Sequence, residues 1–300
     1  MSNSLAVVEL KHVAALAVAS AALSLPAVGQ VVVVDDNFAV DGTVSTDAAY
    51  FGSSSSTAIE FNANSIGLVT GPSGRQMHAL FDTVSLAQGE SLVATIDFTT
   101  PTSISTTGGD DFKFGVFDHL GRDNASQLAQ NTSYSTASPN ADYSGLPGFM
   151  VELDVEPSDP ATDIQIRRSD PSTSGRLLGT NTGISSLSSS ADMGYVFAPN
   201  TAYTLSITIE RTLADELDIS STFLGVTHSD TDDSPVSFDF GMLAFGASTN
   251  AFGTSNTPGE MDNGIDLTRV NVVYNPIPEP GSMALISLGG LALLRRRSSK

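Results

Sequence analysis

Glu152-Leu153-Asp154-Val155-Glu156 is the one run in this sequence whose residue types and spacing could carry chemistry. Successive side chains of an extended strand alternate between its two faces. Met150, Glu152, Asp154 and Glu156 then share one face. Phe149, Val151, Leu153 and Val155 share the other, which the pattern assigns to a core. Carboxylates repeated along one face could serve as general acid and base on a bound substrate. The competing reading is an acidic stripe facing solvent. The turn Pro157-Ser158-Asp159-Pro160 follows at once, so the carboxylates lie near the strand's end.

Other chemistry is sparser. Asp35-Asp36, Asp41, Asp110-Asp111, Asp230-Thr231-Asp232-Asp233, Asp262 and Asp266 are acids of loops and strand ends. Two or three of them could hold Ca²⁺ together with backbone carbonyls, and Asp35, Asp36 and Asp266 are the calcium candidates. None follows EF-hand spacing, so solvated turn acids are the simpler account. The expectation is no cofactor, with a structural calcium as the alternative. His78, His119 and His228 are too scattered for a zinc site. Cys is absent, which excludes disulfides, thiolate metal sites and a cysteine nucleophile. Trp is absent too, which weighs against a sugar cleft built on indole rings.

The elements that must position these residues read as strands. Leu92, Ala94, Ile96 and Phe98 alternate with Val93, Thr95 and Asp97; Leu205, Ile207 and Ile209 alternate with Thr204, Ser206, Thr208 and Glu210. Val270, Val272 and Tyr274 repeat the pattern. Further candidates are 31–34, 57–61, 77–81, 112–117, 148–156, 162–168, 218–227 and 236–246, separated by Gly, Pro, Asn and Asp clusters. Residues 124–130 could form a turn of helix, and 169–192 reads as a loop. Ser and Thr number 69 of 300 residues. About a dozen strands without βαβ alternation predict an all-β domain over 30–276, a two-sheet antiparallel β-sandwich of jelly-roll type.

The two ends read differently. Residues 1–29 form a cleavable secretory signal: an apolar run from Val13 to Leu25, then Pro26-Ala27-Val28-Gly29, with cleavage between Gly29 and Gln30. Residues 277–300 hold Pro278-Glu279-Pro280, an apolar run from Met283 to Leu294, and Arg295-Arg296-Arg297. The run is 12 residues, short of the roughly 20 that a helix needs to span a bilayer core. It predicts a sorting helix that holds the membrane transiently, with the arginines on the cytoplasmic side.

That order resembles the PEP-CTERM sorting signal of Gram-negative bacteria, and the motif residues map onto Pro278, Glu279 and Pro280. The resemblance implies export, processing by an exosortase-type membrane enzyme, and an association with exopolysaccharide or the cell surface. The middle of the chain resembles the concanavalin/laminin-G-like jelly rolls, through SGRQMHALFDTVSLAQGESLVATIDFTTP, DFKFGVFDHLGR, NADYSGLPGFMVELDV and NGIDLTRVNVVY. The E-x-D-x-E strand is similar to the catalytic strand of family-16 glycoside hydrolases. Carried over, that likeness makes Glu152 the nucleophile and Glu156 the acid/base, with Asp154 between them. A retaining mechanism needs the carboxyl groups about 5–5.5 Å apart. The Cα atoms lie about 13 Å apart on a strand, so both side chains would have to lean inward.

Charge narrows the partners. Five of the 13 basic residues and two of the 33 acids lie in the two ends, leaving 8 and 31 and a net charge of −23 on the middle. Nucleic-acid binding through phosphate neutralisation is excluded. The sequence therefore predicts an exported, non-enzymatic surface or matrix protein with weak glycan binding through polar side chains and Tyr143 or Tyr195. A secreted β-glucanase using Glu152 and Glu156 is the alternative. A structural matrix protein without a ligand is the third reading.

Overall fold

A computed structural model describes residues 29–38, 47–52, 59–62, 64–69, 75–104, 111–122, 145–155, 164–169, 178, 184–187, 194–248, 251–252 and 264–277. Gly29–Pro278 form one compact unit. Fifteen strands and no helix occur among the described residues. Eight of them, β1 (Val31–Asp36), β3 (Ile59–Asn62), β4 (Ser65–Val69), β6 (Ser91–Thr99), β11 (Ala202–Leu213), β12 (Glu216–Phe223), β13 (Val226–Asp232) and β15 (Gly264–Asn275), build one sheet. Its order is β13-β12-β11-β6-β15-β4-β3, with β1 beside β15. The other seven build the second sheet: β2 (Ala49–Gly52), β5 (Arg75–Ser85), β7 (Asp111–Phe117), β8 (Gly148–Asp154), β9 (Ile164–Ser169), β10 (Ile184–Ser186) and β14 (Asp239–Ala247). Its order is β10-β9-β8-β7-β14-β5-β2. Neighbouring strands are antiparallel throughout. The all-β, two-sheet sandwich expected from the alternation is the observed fold.

The core lies between the sheets because the apolar positions of facing strands fall in register. Leu205, Ile207 and Ile209 of β11 stand opposite Ile96, Ala94 and Leu92 of β6, all buried. Aromatic rings fill one end: Phe98 of β6 lies 5.2 Å from Phe112 of β7, and Phe197 lies 5.5 Å from both Phe223 and Phe252. Each such side chain contributes about 1.5–3 kcal/mol by leaving water, and together they hold a chain that has no disulfide. Arg168 of β9 also crosses to the other sheet, where Nη1 donates to Asp232 Oδ1 of β13 at 2.7 Å.

The segment 218–227, read from sequence as one strand, is a hairpin. Its strands β12 and β13 are joined by Leu224 and Gly225, both at positive φ (51° and 79°). The stretch 169–192 contains β10. Residues 124–130, Glu156, the signal segment 1–28 and the sorting segment from Pro278 onward lie outside the described residues. No helix among the described residues is long and apolar enough to cross a membrane.

Candidate functional site

β8 presents its two faces as the alternation predicts. Phe149, Val151 and Leu153 belong to the core between the sheets, while Met150, Glu152 and Asp154 point to the outer face of the seven-stranded sheet. That outer face is not open. Phe117, Met150, Met242 and Ala244 form a second apolar cluster there, covered by Leu146 and Leu178. Beside this cluster runs a polar row set by register. Gln165 pairs with Glu152, Glu152 with Lys113, Lys113 with Gly246, and Gly246 with Gln76. Lys113 and Gln76 are buried, and the Glu152 side chain is 12% exposed.

The Glu152 carboxylate is engaged by two cations. Arg167 reaches diagonally from β9, with Nη2 donating to Oε1 at 3.0 Å and Nε 2.9 Å from Oε2. Lys113 Nζ lies 3.4 Å from Oε2 and donates to Asp111 Oδ2 at 3.1 Å. Signs therefore alternate along Asp111, Lys113, Glu152 and Arg167, with no net charge. This corrects the solvated acidic stripe: Glu152 is mostly buried and paired. Only Nη2→Oε1 is aligned as a hydrogen bond; Nε and Oε2 sit at ion-pair distance without one, so the contact is a charge-assisted bond rather than a two-pronged grip. Asp154 occupies the same face, and its backbone carbonyl accepts from Tyr195 Oη at 3.0 Å. Glu156 lies outside the described residues, so its distance from Glu152 is not part of this geometry. Among the described residues, the cross-strand neighbours of Glu152 are Lys113 and Gln165, not aromatic rings.

Arg167 and Lys113 were missed by sequence reasoning. The available signal was the alternation Asp111-Phe112-Lys113-Phe114, which puts a scarce cation on the face opposite two core rings. His78 shares this covered face, opposite Ala244, and is fully buried. Burial pushes its imidazole down to about 3, so it is neutral at ordinary pH. Tyr195 packs edge-on against Phe197 and Phe223, which commits its ring to the core rather than to a ligand. Tyr143 lies outside the described residues.

The three calcium candidates do not converge. Asp35 Oδ1 accepts from Arg269 Nε and Nη2 at 3.0 and 2.9 Å. Asp36 is buried and ties down the following strand: it accepts from the backbone N–H groups of Asp47 (2.5 Å) and Ala48 (3.2 Å) and from Tyr50 Oη (2.9 Å). Burial raises its pKa while the backbone donors oppose that shift. Asp266 accepts from Asn62 Nδ2 at 2.9 Å and Ser65 Oγ at 3.1 Å, closing the β3–β4 hairpin. Among the described residues, no group of three or more His, Asp or Glu side chains is placed to hold a metal ion.

At the other limit of the chain the sandwich ends with β15 at Asn275. Residues 276–298 match the PEP-CTERM protein-sorting motif. The PEP-CTERM motif begins at the residue after β15 and is the signal that exosortase-type enzymes process. No curated protein matches the chain as a relative. Similar solved structures include the metal-free carbohydrate recognition domain of Emp46p, at 9% identity and a TM-score of 0.49 over 81% of this chain and 95% of that one. The lectin from Bauhinia forficata in complex with GalNAc has 12% identity and a TM-score of 0.43 over 82% and 98%. The endo-1,3-beta-glucanase from Streptomyces sioyaensis has 11% identity and a TM-score of 0.47 over 84% and 99%. No activity passes to this chain from likeness at that level.

Proposed function

We propose that the chain is an exported protein, sorted to the Gram-negative cell surface or extracellular matrix, whose sandwich binds glycans weakly and cleaves none. The observation that carries this reading is the sorting motif at residues 276–298, joined to β15 without a linker. In this account residues 1–29 direct export and are cut before Gln30. The apolar run after Pro278-Glu279-Pro280 rests transiently in the inner membrane until an exosortase-type enzyme removes it. The state of Glu152 supports the non-enzymatic half. A retaining nucleophile must stand against the sugar carbon that it attacks. The carboxylate of Glu152 instead faces Arg167 and Lys113 beneath a covered sheet. The β-glucanase alternative, with Glu152 and Glu156, requires a sugar to reach a carboxylate that is 12% exposed and flanked by both cations. No cofactor enters the reading.

Mass spectrometry of the protein released at the surface of its host tests it. The expected species begins near Gln30 and lacks the peptide Arg295–Lys300. A surface form that retains that peptide contradicts sorting by this motif.

A further inference from the structure

The outer face of the eight-stranded sheet is built unlike that of its partner. On β11, Thr204, Ser206 and Thr208 point outward between buried Leu205, Ile207 and Ile209. On β12, Ser220 and Thr222 point outward, and on β13 Thr227, Ser229 and Thr231 do so. Register turns these into rows. Ser229, Ser220 and Thr208 stand side by side across three strands. Thr227, Thr222, Ser206 and Thr95 stand side by side across four. Seven hydroxyls thus form two parallel rows, about 4.8 Å apart from strand to strand and about 6.8 Å apart along each strand. Thr222 and Thr227 bond to each other through their hydroxyls at 2.8 Å. No Lys, Arg or aromatic ring stands among the outward residues of β12, of β13, or of β11 from Thr204 to Glu210. Acids bracket the rows: Asp97 on one side, Asp218 and Glu210 on the other.

We infer that this face docks a neutral, hydroxyl-rich polysaccharide. The inference rests on the glycan-binding reading above and assigns it a face and a class of polymer. Each Ser or Thr hydroxyl can both donate and accept, as a sugar hydroxyl does, so the rows match a polyol without needing a fixed polarity. Threonine is stiff at χ1, so little rotamer freedom is lost on contact. Each bond is weak alone, and a flat repeated array gains strength from many contacts along one chain. The bracketing acids repel an anionic polymer and leave a neutral one unopposed.

The full-length protein is titrated with laminarin and galactomannan as neutral probes and with alginate as the anionic one. Native protein should bind the neutral probes, more tightly as chain length rises. The variant Ser206→Ala/Thr208→Val/Thr222→Val should bind at least tenfold more weakly while melting at the native temperature. Ser185→Ala/Ser186→Ala on β10 should bind as native. Neutral-probe binding unchanged in the triple variant overturns the face while leaving glycan binding intact. Preference for alginate overturns the polymer class. Native protein that binds none of the three overturns the glycan-binding reading and this inference with it.

Discussion

The two outer faces obey one alternation rule and end in opposite states. On β8 and β7 the outward residues include Met150, which is buried in an apolar cluster, and Glu152 and Lys113, which are mostly buried and lie within ion-pair distance of each other. On β11, β12 and β13 the outward residues are Ser and Thr, and they stay in contact with water. The difference comes from what lies over each sheet. Leu146 and Leu178 pack with Phe117, Met150, Met242 and Ala244 over part of the seven-stranded sheet, so a charge buried beside them must be neutralised by a partner. Among the described residues, the outward Ser and Thr side chains of β11–β13 are half-buried or exposed, and hydroxyls there need no partner but water. In a chain of net charge −20, Glu152 shares a mostly buried face with Arg167 and Lys113, and it is the repeat of carboxylates at 152, 154 and 156 that gives it a catalytic look in the sequence.

The largest expected effect breaks the covered face. Arg167→Gln leaves Glu152 with Lys113 alone and should cost about 2–3 kcal/mol of stability. A domain of this size would then melt about 4–12 °C lower, read by calorimetry. The second test uses pH. His78 on the same face is held neutral in the folded state, with its pKa pushed down to about 3 from 6.5. The unfolded chain takes up that proton first, so the contribution is full above pH 6.5 and is lost as pH falls from 6.5 towards 3. His78→Gln should flatten that decline, which can reach about 1.4 kcal/mol per pH unit, in urea midpoints measured from pH 7 to 4. Asp36 acts with the opposite sign. Its pKa is raised by burial, so its contribution is full below its ordinary value of 3.8 and is lost as pH rises through the raised one. The smallest effect belongs to the open face, where Thr208→Val and Ser220→Ala should each change stability by no more than about 0.5 kcal/mol in urea melts.

Much of this architecture was legible in the residues themselves. Phe149, Val151 and Leu153 announced the buried side of β8, and Leu92 to Phe98 that of β6, because a period of two survives any choice of partner. The hairpin between β12 and β13 was hidden because its turn is Leu224-Gly225 rather than Asn-Gly or Asp-Gly, and Leu seldom adopts positive φ. The state of Glu152 was hidden for another reason. Arg167 comes from β9 and Lys113 from β7, and only strand register brings them to one carboxylate. Asp35, Asp36 and Asp266 looked alike as acids, yet an arginine, a pair of backbone amides and an Asn–Ser pair claim them separately.

The central claim is that Glu152 holds the fold and cleaves nothing. The most direct test measures both properties on one pair of proteins, native and Glu152→Gln. Each is incubated with laminarin, lichenan, agarose and carrageenan, reducing ends are counted, and each is melted in the same buffer. The account predicts no turnover by either protein and a Glu152→Gln variant that melts several degrees lower. Turnover by the native protein that disappears in a Glu152→Gln variant of unchanged melting temperature would contradict it.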